Sequence, residues 1–280
     1  MDVTPLEFTG ERFTPECVRE IWYEHVHRYA MAAVLAEGKQ VLDAACGEGY
    51  GSAMLAERAA QVRAIDVDEK TLQHARARYA TRSNLQFERA DVTQLDHLPG
   101  QYFDLICSFE TLEHLAAQEA MLDGFRRLLK PQGLLLISTP DKAQYSDIAG
   151  FNNEFHVKEL YKHEFESLLA QRFKHVRLFG QKLMFGSMLW EPSLSGSAAA
   201  STHADAASLN GLALPPMYWI AACSDSEQAL RDLPALHFFT DSEESVYRHY
   251  EHEIRKNMAA GARIQELEAE VAQLRAQLQK

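Results

Sequence analysis

The chain reads as an α/β protein on a doubly wound, mostly parallel seven-stranded sheet, with a helical lid before it and a coiled-coil helix after it. Three observations predict this. Apolar runs of strand length alternate with amphipathic stretches of helix length between residues 41 and 138, and strands joined by helical crossovers pair in parallel. A glycine-rich turn follows the first strand, where open α/β sheets bind ligands. Beyond residue 242 the spacing changes to a heptad pattern.

The elements follow in order. Residues 1–37 form the lid, with apolar positions Val18, Ile21, Trp22, Val26, Tyr29, Ala33 and Val34 at helical spacing between Pro15 and Leu35. The domain over residues 38–241 begins with a buried strand, Val41 to Ala45, and a helix, Ser52 to Ala60. A second strand, Val62 to Asp66, precedes a helix from Glu69 to Tyr79, and Leu85 to Glu88 is a third strand. Phe103 to Ser108 is the fourth, followed by a helix from Ala117 to Leu129 that Lys130-Pro131-Gln132-Gly133 stops. Leu134 to Ser138 is the fifth strand, Lys158 to Ala170 a helix and Val176 to Phe179 the sixth strand. Residues 193–214, rich in Ser, Ala and Gly, have little to bury and read as a flexible insertion before a last strand, Met217 to Cys223. In the tail, 242–280, Ile264, Leu267, Val271, Leu274 and Leu278 put Ile or Val at position a and Leu at d, the choice that favours two parallel strands. Arg263 then faces Glu268 of a second copy, and Glu270 faces Arg275. The tail predicts a homodimer; a solvated terminal helix is the bland alternative.

Composition narrows the function. The chain has 280 residues, 46% of them hydrophobic, enough for a core without disulfides. A net charge of −12 with no Lys/Arg cluster argues against nucleic acid. Cys17, Cys46, Cys107 and Cys223 form no CxxC pair, which fits reduced thiols in a cytoplasm. No signal peptide opens the chain and no apolar stretch reaches membrane-spanning length, so a cytoplasmic protein without a membrane span is expected.

The turn reads Asp43-Ala44-Ala45-Cys46-Gly47-Glu48-Gly49-Tyr50-Gly51. Its glycines let the backbone turn sharply and approach a ligand, and the next helix presents free N–H groups. The third glycine comes one residue early for a nicotinamide fingerprint, and no Gly-Lys-Ser/Thr follows for a P-loop. What remains is a pocket for a ligand with ribose and adenine but no phosphate. Asp66 closes the second strand, 23 residues after Asp43, where a carboxylate accepts from a ribose diol. Ala90-Asp91-Val92 follows the third strand and offers an acid to an adenine amine.

Residues 38–180 with this loop and these acids resemble the class I methyltransferases, most closely the type 11 group. The resemblance implies S-adenosylmethionine in the pocket: Asp43, Ala45, Gly47 and Gly49 under the methionine end, Asp66 at the ribose, Val67 and Asp91 at the adenine, and Phe109 among the cofactor contacts. Ala45 stands where many members have glycine. Gly10-Glu11-Arg12-Phe13 and His27-Arg28-Tyr29 are similar to bacterial methyltransferases associated with surface-polysaccharide synthesis, which implies a sugar or glycan acceptor and glycan-assembly partners. Arg28 and Tyr29 are candidates to close over the cofactor; His25 and His27 read as lid or surface residues.

On the acceptor side, the fourth strand delivers Phe109-Glu110-Thr111-Leu112-Glu113-His114 to the carboxyl edge of the sheet. On a helical turn Glu110, Glu113 and His114 share a face, and His156 follows the fifth strand near the same edge. The run resembles ubiquinone-pathway O-methyltransferases and the enzymes that methylate the terminal 2′-hydroxyl of small RNAs. That resemblance implies a divalent metal such as Mg held by Glu110, Glu113, His114 and His156. Two other readings stay open: His114, with Glu110, as metal-free acid–base machinery, or His114 as a helix cap. The alternatives in function are a phenol- or quinone-type O-methyltransferase, an RNA-end enzyme, which the charge disfavours, and a coiled-coil interaction protein on a methyltransferase-like scaffold.

Overall fold

The computed structural model describes residues 13–15, 20–184, 214–231, 233–242 and 244–278. The chain divides into two compact units, Met1–His237 and Phe238–Lys280. The first holds helix α1 (Glu20–Leu35) and then alternates β1 (Gln40–Ala44), α2 (Tyr50–Ala56), β2 (Gln61–Asp66), α3 (Glu69–Arg78), β3 (Leu85–Arg89), β4 (Phe103–Ser108), α4 (Gln118–Leu128), β5 (Leu129–Pro140), α5 (Lys162–Ala170), β6 (His175–Gln181), β7 (Tyr218–Ser224) and α6 (Gln228–Arg231). The second unit contains α7 (Ser245–Leu278).

The seven strands form one sheet in the order β3-β2-β1-β4-β5-β7-β6. The first five pair in parallel, and β7 runs antiparallel between β5 and β6. Side chains alternate along each strand, so Leu42, Ile106, Leu135 and Ile137 face one layer with Met121, Phe125 and Phe165 of α4 and α5, and Phe103 joins them across the register irregularity that separates it from Leu105. Val41, Val62, Leu105, Leu134 and Leu136 face the other, with Tyr29, Ala32, Leu55 and Leu72 of α1 to α3. The strand order reverses between β1 and β4, and the crevice outside their carboxyl ends is where this architecture binds ligands.

Several element boundaries differ from the sequence reading, α2 (read as Ser52 to Ala60) and β6 (read as Val176 to Phe179) among them, and two differences have a local cause. Lys130-Pro131-Gln132-Gly133 lies inside β5, which begins at Leu129 and shifts register between Phe103 and Leu105 of its neighbour. A Cβ on Gly133 would come within 3.0 Å of the Lys130 and Phe103 carbonyls, so the segment needs glycine to stay in the sheet. Helix α5 starts at Lys162 rather than Lys158, because the Val157 and Lys158 N–H groups both donate to the Glu113 carbonyl. Most of the Ser/Ala/Gly-rich stretch, 193–213, and the Gly10-Glu11-Arg12 motif lie outside the described residues. No helix among the described residues is long and apolar enough to cross a membrane.

Candidate active site

The first half of the site is the turn after β1. Ala45, Gly47 and Gly49 all have positive φ, 62°, 54° and 92°, which glycine adopts freely and alanine only at a cost in strain. Two close approaches explain the glycines. A Cβ on Gly49 would sit 2.8 Å from the Phe87 ring, and one on Gly51 only 2.1 Å from the Tyr29 ring. Tyr29 is thereby brought onto Asp43, to which it donates at 3.0 Å, while Ser52 donates to the other carboxylate oxygen at 2.6 Å. Burial pushes the Asp43 carboxyl up to about 6, although both hydroxyl donors favour its charged form.

Glu48, between two glycines, is buried and locks the turn to α3. It meets His74 at 3.0 Å and Arg78 at 3.1 Å and accepts from the Tyr79 hydroxyl at 2.8 Å. Asp66 points back at the turn: the Gly47 N–H donates to one oxygen and the Asp68 N–H to the other, both at 2.9 Å. Each oxygen keeps a second lone pair, which fits a ribose diol. Val67, beside it, is exposed. Asp91 accepts from the Thr93 N–H and hydroxyl through Oδ1, leaving Oδ2 for an outside donor. Phe109 is buried edge-on against Tyr29.

The second half is assembled from distant segments. After β4, Glu110 also adopts a positive φ of 51°, held there by Ser138 of β5, whose hydroxyl donates to its carboxylate at 2.6 Å. A 3-10 turn, Leu112–His114, then carries Glu113 and His114. The Glu113 carbonyl captures the N–H groups of Val157 and Lys158 at 2.8 and 2.9 Å, and Gln118 bridges the Leu112 and Lys158 carbonyls. These bonds fold the loop after β5 over the turn and bring His156 to it. Glu113, His114 and His156 each offer a ligand atom within 4.8 Å of the others. Glu110 stands outside that group and pairs with Arg28 at 3.3 Å.

Both imidazoles are pinned. His114 Nδ1 meets the Phe155 carbonyl at 2.9 Å, and His156 Nδ1 meets Glu159. An oxygen acceptor at Nδ1 holds the proton there and leaves Nε2 as the electron-pair donor, the arrangement that orients metal-binding histidines; at His156 that lone pair meets the Asn153 amide nitrogen at 3.0 Å, a contact a cation would have to displace. Glu113 is almost fully buried, with Thr139 as its one side-chain hydrogen-bond donor among the described residues, and desolvation with the nearby Glu110 charge holds its carboxyl well above the usual range. A cation beside it would remove that penalty.

Arg28, which the sequence reading offered as a residue to close over the cofactor, is buried, its Nε donating to Gln181 at 2.7 Å, its guanidinium lying 4.5 Å over the Tyr218 ring and its Nη1 paired with Glu110, while Nη2 has no hydrogen-bond partner among the described residues. Sequence reasoning missed several other groups. Tyr145 stacks on His156. Ser138, Gln181 and Tyr218 carry no signal in sequence, being far from the motif. Glu159 does have one, a carboxylate three residues after a candidate ligand. His25 lies half-buried on the lid helix α1: it stacks on Phe13 at 4.6 Å, and desolvation takes its pKa down to about 3.

The comparisons with known proteins bear on the same edge of the sheet. Residues 42–137 match the family described as a methyltransferase domain. A Mycobacterium tuberculosis protein named as a probable S-adenosylmethionine-dependent methyltransferase is 31% identical over 226 residues, 71% of this chain and 81% of that protein. A ubiquinone biosynthesis O-methyltransferase of Idiomarina loihiensis is 35% identical over 123 residues, 43% of this chain and 50% of that one. In fold, an Archaeoglobus fulgidus SAM dependent methyltransferase aligns with a TM-score of 0.52 at 16% identity, covering 72% of this chain and 93% of its own. The glycine turn, the Asp66 carboxylate bonded into it and a relative matched over most of its length agree, and this chain belongs to the S-adenosylmethionine-dependent methyltransferases.

Proposed function

We propose that the protein is an O-methyltransferase that methylates a sugar hydroxyl in glycan or surface-polysaccharide synthesis, with a divalent cation held by Glu113, His114 and His156. The observation that carries the cation is the convergence of a buried carboxylate and two imidazoles whose Nδ1 atoms are already committed. Glu110 is engaged by Arg28 and Ser138, which supports leaving it out of the proposed ligand set.

S-adenosylmethionine supplies a methyl group on a sulfonium, and the rest of the work falls to the chain. Asp66 and the Gly47 turn would hold the ribose, and Asp43 would serve the methionine end. A cation at the three ligands would supply the positive charge that acidifies an acceptor hydroxyl. His114 Nε2 then serves as a ligand and not as a base, since it has one lone pair; without a cation the same atom takes the hydroxyl proton. Orientation across the β1–β4 crevice contributes much of the rate. Arg28, Glu110, Asn153 and Tyr145 put hydrogen-bonding groups around this edge, which supports a hydroxyl-rich acceptor. The resemblance of the opening residues to polysaccharide-associated enzymes supports it as well.

A second reading, a phenol- or quinone-type acceptor, is favoured by the ubiquinone-pathway relative. Incubation with methyl-labelled cofactor and panels of nucleotide sugars, glycans and catechols separates the two. A base-stable methyl ether on a sugar, lost on chelation and restored by Mg, is the expected result. An ether on the catechol alone moves the assignment to the second reading, and methyl ester or N-methyl product ends both.

A further inference from the structure

Helix α7 runs 34 residues, Ser245–Leu278, without one buried residue. A helix with so little packed against it has only local propensity to hold it, and in proteins most helical stability comes from packing an apolar face. The face exists. Asn257, Ala260, Ile264, Leu267, Val271, Leu274 and Leu278 follow one another at alternating spacings of three and four, seven consecutive core positions of one heptad register on an unbroken helix. Leu274 is 51% exposed and Leu278 88% exposed. The seam begins at Asn257, because the d position before it is Glu253, a charge.

We infer that this stripe is the seam of a parallel, in-register two-stranded coiled coil with a second copy of this chain. Three features fix the occupant. The aliphatic a positions are Ile264, Val271 and Leu278, the first two β-branched, with Leu267 and Leu274 at d, the pairing that fits two parallel strands. Asn257 falls at an a position, where one polar side chain specifies register and dimeric state at some cost in stability. Across the seam every charged g-to-e′ pair is attractive, Arg263 with the partner's Glu268 and Glu270 with the partner's Arg275, and symmetry doubles each. Arg263 now pairs with Glu266 on its own helix at 2.8 Å, an exposed contact that gives way readily. Two copies of one chain satisfy a self-complementary surface with closed symmetry.

The test is the mass of the full chain in solution, by light scattering at two concentrations about tenfold apart, since self-association follows mass action. Twice the chain mass is expected for the wild type. Leu267→Glu with Leu274→Glu should halve it while leaving S-adenosylhomocysteine binding unchanged, which also shows that the variant is folded. Leu267→Cys should form an intermolecular disulfide under mild oxidation, because in a parallel in-register pair position 267 meets itself. Asn257→Ile should lose strict dimerisation and admit larger assemblies. A monomer at both concentrations overturns the inference. So does a dimer that survives the double glutamate variant, and failure of Leu267→Cys to cross-link rejects the parallel register.

Discussion

The two halves of the crevice treat their polar groups differently. On the β1–β2 side nearly every buried charge is met by the chain itself. Asp66 accepts two backbone N–H groups, Glu48 meets two donors from α3 and the Tyr79 hydroxyl just after it, and Asp43 accepts two hydroxyls. On the β4–β5 side the charges are less fully met: Arg28 Nη2 has no hydrogen-bond partner among the described residues and Nη1 has only the Glu110 ion pair, while the buried Glu113 carboxyl, beside His114 and His156, is held above its usual range. A site whose charges are already satisfied is rigid before its ligand arrives and suits one ligand. A site with charges in reserve takes its final form with what binds there.

The largest expected effect tests the first half. If Asp66 holds the ribose as proposed, Asp66→Ala removes two charge-assisted bonds to it, each about 1.5–3 kcal/mol, and orphans the Gly47 N–H. S-adenosylhomocysteine affinity measured by calorimetry should fall on the order of 1000-fold. A loss below about tenfold would mean that the turn binds without its acid, and the contrast between the halves would collapse.

Asp43 comes next and shows what a preformed site costs. Its folded pKa, about 6 against an ordinary 3.8, means that folding resists ionisation of this carboxyl. Its stabilising effect is complete below pH 3.8 and lost as pH rises through 6, about 3 kcal/mol by neutral pH at 1.36 kcal/mol per unit. Asp43→Asn should therefore raise the denaturation midpoint at pH 7.5 and leave it near wild type at pH 4, while weakening cofactor binding. Equal midpoint shifts at both pH values would show that the carboxyl titrates normally.

How far each half was legible follows from how it is built. The turn, Asp66 and Asp91 lie on consecutive β–α units, so a fixed chain spacing becomes a fixed geometry, and the strand order of a doubly wound sheet follows from alternation. The acceptor half joins residues 28, 110–114, 138, 156–159, 181 and 218, whose proximity depends on sheet order and on loops bonded to each other. Glu113 and His114 could be read as neighbours of His156, but not the capture of Val157 and Lys158 by the Glu113 carbonyl that makes them so. Glu110 shows the same limit. Its i, i+3 relation to Glu113 assumes a helical turn, whereas the chain takes a left-handed residue at 110 and starts its 3-10 turn only at Leu112.

Glu159 gives a smaller and more selective effect on the second half. In the proposed cation reading, its bond to His156 Nδ1 sets the tautomer that exposes Nε2. Glu159→Gln should raise the Mg concentration for half-maximal turnover by about 10-fold or more, with S-adenosylhomocysteine affinity unchanged. An unchanged Mg requirement would reduce Glu159 to a loop contact with Ser146.

The smallest effect concerns strain, which the two halves share. Ala45 and Glu110 are both non-glycine residues at positive φ, each following a central strand that ends at the crevice, and such conformations cluster where function holds them. At Glu110 the side chain helps to hold the backbone, through Ser138 and Arg28. At Ala45 there is only a methyl group. A left-handed conformation costs an L-residue about 1–2 kcal/mol, and glycine's added freedom in the unfolded chain returns about 0.4–1 kcal/mol of that. Ala45→Gly should therefore stabilise the fold by about 0.5 kcal/mol, seen as a small rise in the urea midpoint with an unchanged slope. Glu110→Gly relieves the same strain but discards both side-chain contacts, so it should destabilise. If both variants moved the midpoint the same way, backbone strain alone would account for the two positions, and the side-chain brace at Glu110 would count for nothing.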